Sequence, residues 1–134
     1  DETWLYEQGP LAVELADFRA SRRRATVLLE WSTLTEFDHA GFRVLREETG
    51  GAMASLTPQL IAPRSPAGEM GGAQYRFTDR SAPLSATRYW LEDVDTTGET
   101  RLHGPVEAPP ARVRPIQLPI PPGPAPDIAQ EAWR

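Results

Sequence analysis

The side chains able to do acid–base chemistry near neutral pH are few, because the chain has two histidines, no cysteine, and basic residues that are all arginine. Without a thiolate there is no cysteine nucleophile, disulfide framework or cysteine-ligated metal. Without lysine there is no Schiff-base catalyst and no phosphate-binding P-loop lysine. Pyridoxal-phosphate and P-loop chemistry are thereby excluded. A serine nucleophile would need a histidine and an orienting carboxylate, and no G-x-S-x-G elbow is present. Asp38 beside His39 has the right residue types, but neighbours on a loop diverge, and a solvated polar connection is the plainer reading. His103 falls on a strand pattern and reads as a half-exposed sheet residue. The expected set of catalytic residues and cofactors is empty, and the expectation is that the protein is not an enzyme.

One stretch has the residue types of a cation site. Asp93-Val-Asp95-Thr-Thr-Gly98-Glu99 matches the start of an EF-hand loop, yet the position of the closing bidentate glutamate is held by Gly104. A hairpin turn is the competing reading, leaving Asp93 and Asp95 as metal candidates only. The formal net charge is -5 and the isoelectric point about 5.0, which argues against nucleic acid as a partner. Arg22-Arg23-Arg24 is a basic cluster between two strand-like runs and reads as a solvated turn. There is no run of about 18 apolar residues, so no membrane span is expected. The first residues lack the positive and apolar regions of a signal peptide, and the acidic start without methionine suggests a processed chain or a piece of a longer one.

The elements that must carry these residues alternate with period two and are separated by short turn signals, the pattern of an all-β sandwich. Seven strands are predicted. The first spans residues 11–18, with Val13 and Leu15 inward. The second spans 25–31, with Val27, Leu29 and Trp31 inward, and a polar connection follows over 34–40. The third spans 42–46, with Phe42 and Val44 inward. A weaker edge strand is expected at 56–62, where Pro58 and Pro63 cannot donate ladder hydrogen bonds. Then come 75–79 with Tyr75 and Phe77 inward, 88–94 with Tyr89 and Leu91 inward, a Thr96-Thr97-Gly98 turn, and 100–108. The core is assigned to Trp31, Phe42, Tyr75, Phe77, Tyr89 and Leu91.

Between Pro105 and Pro126 nine of the fourteen prolines fall within twenty-two residues. Fixed φ and missing N–H donors favour an extended polyproline II path there. Residues 127–134 could add about two helical turns capped by Asp127. The chain therefore divides into an N-terminal segment (1–10), a β-sandwich (11–108) and a proline-rich tail (109–134).

Three groups of residues at consistent spacing carry a family resemblance. They are Val13-Glu-Leu-x-x-Phe18; Val27-x-Leu-x-Trp31-x-Thr33-x-x-Glu36-x-x-x-x-Gly41-Phe42-x-Val44-x-Arg46; and Tyr75-x-Phe77-x-Asp79 with Tyr89-x-Leu91-x-x-Val94-Asp95-x-x-Gly98. Over residues 11–108 the chain resembles a fibronectin type III-like module of secreted, multi-domain bacterial surface proteins. The resemblance implies a seven-stranded immunoglobulin-like sandwich, an extracellular or cell-envelope location, and a spacer or accessory role. Tyr89 resembles the tyrosine-corner residue, which implies a hydroxyl bonded to backbone near Leu84. The sequence departs from the family pattern there, since Leu84 lies five positions before the tyrosine and Pro83 precedes it.

The functional reading is a structural or protein-interaction module whose tail docks on another subunit or a neighbouring domain. The tail retains apolar residues that a bare spacer has little use for, and burying them yields about 25 cal/mol per Å². The partner-binding residues assigned are Trp4, Tyr6, Ile116, Leu118, Ile120, Pro121, Pro122 and Trp133, with self-association included among the outcomes. The prolines favour docking in a groove over strand addition. The alternatives are a carbohydrate-binding module using Trp90, Trp4 and Trp133, and an accessory domain of a larger secreted enzyme.

Overall fold

In a computed structural model of the chain, residues 13–64 and 72–112 are described. Seven strands follow in chain order: β1 (Val13–Arg23), β2 (Thr26–Glu36), β3 (His39–Glu47), β4 (Met53–Ser55), β5 (Gln74–Asp79), β6 (Thr87–Asp95) and β7 (Thr100–Ala108). They form two antiparallel sheets, one ordered β1-β2-β5 and the other β4-β3-β6-β7. The described residues contain no helix, and so none long and apolar enough to cross a membrane. The expected all-β, seven-stranded two-sheet sandwich is the observed fold.

Alternation builds the core as the pattern requires. Val27, Leu29 and Trp31 of β2 face Phe42 and Val44 of β3 and Tyr89 and Leu91 of β6, all of them buried. The ring of Trp31 stacks on Tyr75 at 5.4 Å and meets Phe42 edge-on at 5.4 Å, so one indole fills the space between the sheets. Phe77 is half-buried and packs against this cluster.

Several boundaries differ from expectation. β1 continues through Arg23, so the turn is Arg24-Ala25 with Arg24 in the left-handed region (φ 55°), and Arg22 and Arg23 of the expected turn lie in the strand. β2 and β3 run to within two residues of each other, turning at Phe37-Asp38, where a polar connection was expected. The edge strand is β4 at 53–55, and the segment expected to form it contributes one bridge, between Ile61 and Phe42. That bridge needs Gly41: a Cβ there would lie 2.7 Å from the Ile61 carbonyl oxygen.

Candidate functional site

Buried polar side chains collect at the two ends of the sandwich, nine residues apart along β2 from Val27 to Glu36, a separation of about 30 Å at ~3.3 Å per residue. At one end Asp79 closes β5, opposite Val27. Its Oδ2 accepts from the Tyr89 hydroxyl (2.7 Å) and from Arg46 Nη1 (2.8 Å). Its Oδ1 accepts from the Ser81 backbone N–H (3.1 Å) and hydroxyl (3.3 Å). Arg46 also donates to Glu48 and to the Ser81 carbonyl. Burial alone would raise the Asp79 carboxyl, but the bonds from Tyr89, Arg46 and Ser81 outweigh it and hold it below its ordinary value. The same burial and the carboxylate beside it push the Tyr89 hydroxyl up.

This corrects the expected tyrosine corner, because Tyr89 bonds a side chain of β5 and not backbone near Leu84. Leu84 is 55% exposed, and its carbonyl accepts from the Ala111 N–H instead (2.7 Å). The basic cluster is corrected in part as well. Arg22 is half-buried and bonded to the loop after β5 and to the residue following β7, so it is no solvated turn residue.

At the other end Glu36 terminates β2 and His39 begins β3. Glu36 Oε2 accepts from Thr33 Oγ1 (2.8 Å) and from the Tyr75 hydroxyl, which in turn accepts from the Arg64 N–H (2.8 Å). Glu36 Oε1, both ring nitrogens of His39 and Trp31 Nε1 are buried with no hydrogen-bond partner among the described residues. His39 is 9% exposed and its ring lies 4.4 Å from that of Phe42, which corrects the solvated loop expected for Asp38-His39; only Asp38 is exposed. Burial lowers the His39 pKa, opposed by the Glu36 and Asp93 carboxylates, while the Val94 backbone approaches the ring without reaching hydrogen-bond geometry. The second histidine, His103, is partly exposed and pairs through Nε2 with buried Asp93.

The two metal candidates serve separate local tasks. Asp93 pairs with His103, whereas Asp95 Oδ1 accepts from the Thr97 N–H (2.8 Å), Thr97 Oγ1 (2.7 Å) and the Glu99 N–H (2.9 Å) and so braces the β6–β7 turn. Those bonds hold the Asp95 carboxyl below its ordinary value. Among the described residues no three His, Asp or Glu side chains are placed to hold one metal ion.

Of the binding candidates, Trp90 is half-buried with its indole N–H toward Glu47 Oε1 (3.3 Å). Trp4, Tyr6, Ile116, Leu118, Ile120, Pro121, Pro122 and Trp133, and the helical turns expected over 127–134, lie outside the described residues. A polar groove of about 450 Å³ on the outer face of the β1-β2-β5 sheet was not foreseen; Arg19, Glu30, Ser32, Gln74 and Arg76 line it. Its signal in the sequence is the outward set of the strand alternation, which is polar on three adjacent strands.

No family model matches the chain, and no curated protein matches it. Among solved structures it is similar to pectate lyase Pel3 from Pectobacterium carotovorum, at 22% sequence identity and a TM-score of 0.49. The similarity covers 74% of this chain and 28% of that one, so the matched region is under a third of the lyase's length.

Proposed function

We propose that the protein is a non-catalytic structural and protein-interaction module of the fibronectin type III kind, working at the cell envelope or in a secreted assembly. Its proline-rich tail docks on a partner or a neighbouring subunit. The strand order β1-β2-β5 against β4-β3-β6-β7 supports the module type, since it puts the Trp31 strand between two neighbours in one sheet and the Tyr89 strand inside the other. The observation that carries the functional half is in the sequence. Ile116, Leu118 and Ile120 sit among prolines that no sheet core would take, and Trp133 lies beyond the last of them. A solvated spacer needs no such side chains, whereas a groove-docking segment does.

The test is the solution mass of the chain with and without residues 113–134, over a range of concentrations and in the presence of proteins from the same envelope or secreted fraction. Tail-dependent association, with the melting temperature of the truncated sandwich shifted by less than about 2 °C, is the expected result. Equal association of the two chains would sink the docking reading.

Carbohydrate binding is a second reading, and the polar groove on the β1-β2-β5 face favours it, because hydrogen-bonding side chains there converge on one concave surface. Retention on polysaccharide that disappears in an Arg76→Ala, Gln74→Ala double variant would support it.

A further inference from the structure

Arg22 is a singular residue on the surface of the sandwich. It is the next-to-last residue of β1, two positions before the hairpin turn, and its four described hydrogen bonds all go to backbone carbonyls. Nη2 donates to Pro83 O (2.7 Å) and Ser85 O (3.1 Å), Nη1 to Arg24 O (3.2 Å), and Nε to Pro109 O. Three separate stretches of chain thus meet on one guanidinium: the β1–β2 hairpin, the loop between β5 and β6, and the first residue after β7. Two residues further on, the Ala111 N–H donates to Leu84 O (2.7 Å), between the two loop carbonyls that Arg22 holds.

A planar fork with five donors can satisfy carbonyls lying in different directions, which a lysine ammonium on a flexible stem does less well. The two prolines at 109 and 110 add fixed φ angles to a path already bonded at 109 and 111. Bonds at both positions and stiff backbone at 109 and 110 leave the chain few ways to swing as it departs.

We infer that Arg22 fixes the direction in which the proline-rich segment leaves the sandwich: residues 109–112 belong to the folded unit, and whatever follows Arg112 starts from a set point and heading. The device aims the tail and stands whether or not a partner docks on it. It makes the module an angle-setting connector, in which a distal binding segment or neighbouring domain is presented at a defined orientation.

The absence of cysteine allows two labels to be placed without competition. Spin labels at Leu34→Cys, exposed at the far end of β2, and Arg112→Cys report the distance across the sandwich to the root of the tail. The parent should give one narrow distance distribution. Arg22→Ala should widen it about twofold by freeing the backbone at 109–112, and Arg22→Lys should widen it too. Circular dichroism checks that each variant keeps the sandwich, and Arg22→Lys preserves the test should Arg22→Ala unfold. Equal widths in parent and variants would overturn the inference while leaving partner docking untouched. A truncated chain that associates like the full one would do the reverse.

Discussion

At the Asp79 end of the sandwich each carboxylate oxygen accepts two hydrogen bonds, and the guanidinium of Arg46 supplies the opposite charge. At the Glu36 end one carboxylate oxygen is bonded twice, while the other and both nitrogens of His39 are buried without partners among the described residues. The apolar core between them is common to both. The difference shows that satisfaction, and not burial as such, decides whether an interior polar group supports the fold. A carboxylate with matched donors adds rigidity, whereas a buried group stripped of water and left unpaired costs about 1–3 kcal/mol. The Asp79 end should therefore be among the last parts of the molecule to open, and the Glu36 end among the first.

The largest effect expected from breaking this contrast is at Asp79. Asp79→Ala leaves the buried Tyr89 hydroxyl without an acceptor and Arg46 with only Glu48 and the Ser81 carbonyl, and should cost about 2–4 kcal/mol in urea unfolding. A loss under about 1 kcal/mol would show that the network is no tighter than a surface ion pair. Next comes Tyr75→Phe at the opposite end, which removes one of two donors to Glu36 Oε2 and the acceptor of the Arg64 N–H. Its expected cost is smaller, about 1–2 kcal/mol, because Thr33 still serves Glu36. If Tyr75→Phe costs as much as Asp79→Ala, the two ends are equivalent and the comparison fails.

Much of the sandwich was legible because hydrophobic alternation and strand position agree from Val27 to Trp31, and again at Tyr75, Tyr89 and Leu91. Beyond Trp31 they part. Thr33 is 6% exposed and Leu34 is 60% exposed, so the inward position is polar and the outward one apolar. A reader of hydropathy sees the strand end where the ladder in fact continues to Glu36. The β1–β2 register shifts at Glu14, Leu15 and Asp17 belong to the same stretch and leave no compositional mark. Tyr89 was recognisable as an inward ring with a hydroxyl needing an acceptor. Its acceptor, ten residues away and in the other sheet, depends on packing that local spacing does not encode. Arg22 was misread for a related reason, since three of its four carbonyl partners come from segments far along the chain, and backbone acceptors are invisible in a sequence.

The smallest expected effect concerns pH, and it separates the ends most cleanly. Burial lowers the pKa of His39, so the unfolded chain takes up the proton first. Stability should fall as pH drops below about 6.5, where a free histidine begins to charge, and continue falling until the folded protein also binds the proton. The Asp79 carboxyl is held low, so its contribution is intact at that pH and is lost only in acid, from about pH 4 downward. His39→Phe tests the first window, since an aromatic ring of similar size can stay beside Phe42 and brings no unpaired nitrogen. Urea unfolding at pH 7.5 and pH 5.5 should show a smaller gap in the variant than in the parent. At pH 7.5 the variant should lie within about 1 kcal/mol of the parent, or above it. The other histidine, His103, is common to both proteins and cancels from the comparison. An unchanged gap would mean that folding leaves the proton affinity of His39 as it is in the open chain, and the contrast between the two ends would lose its histidine half.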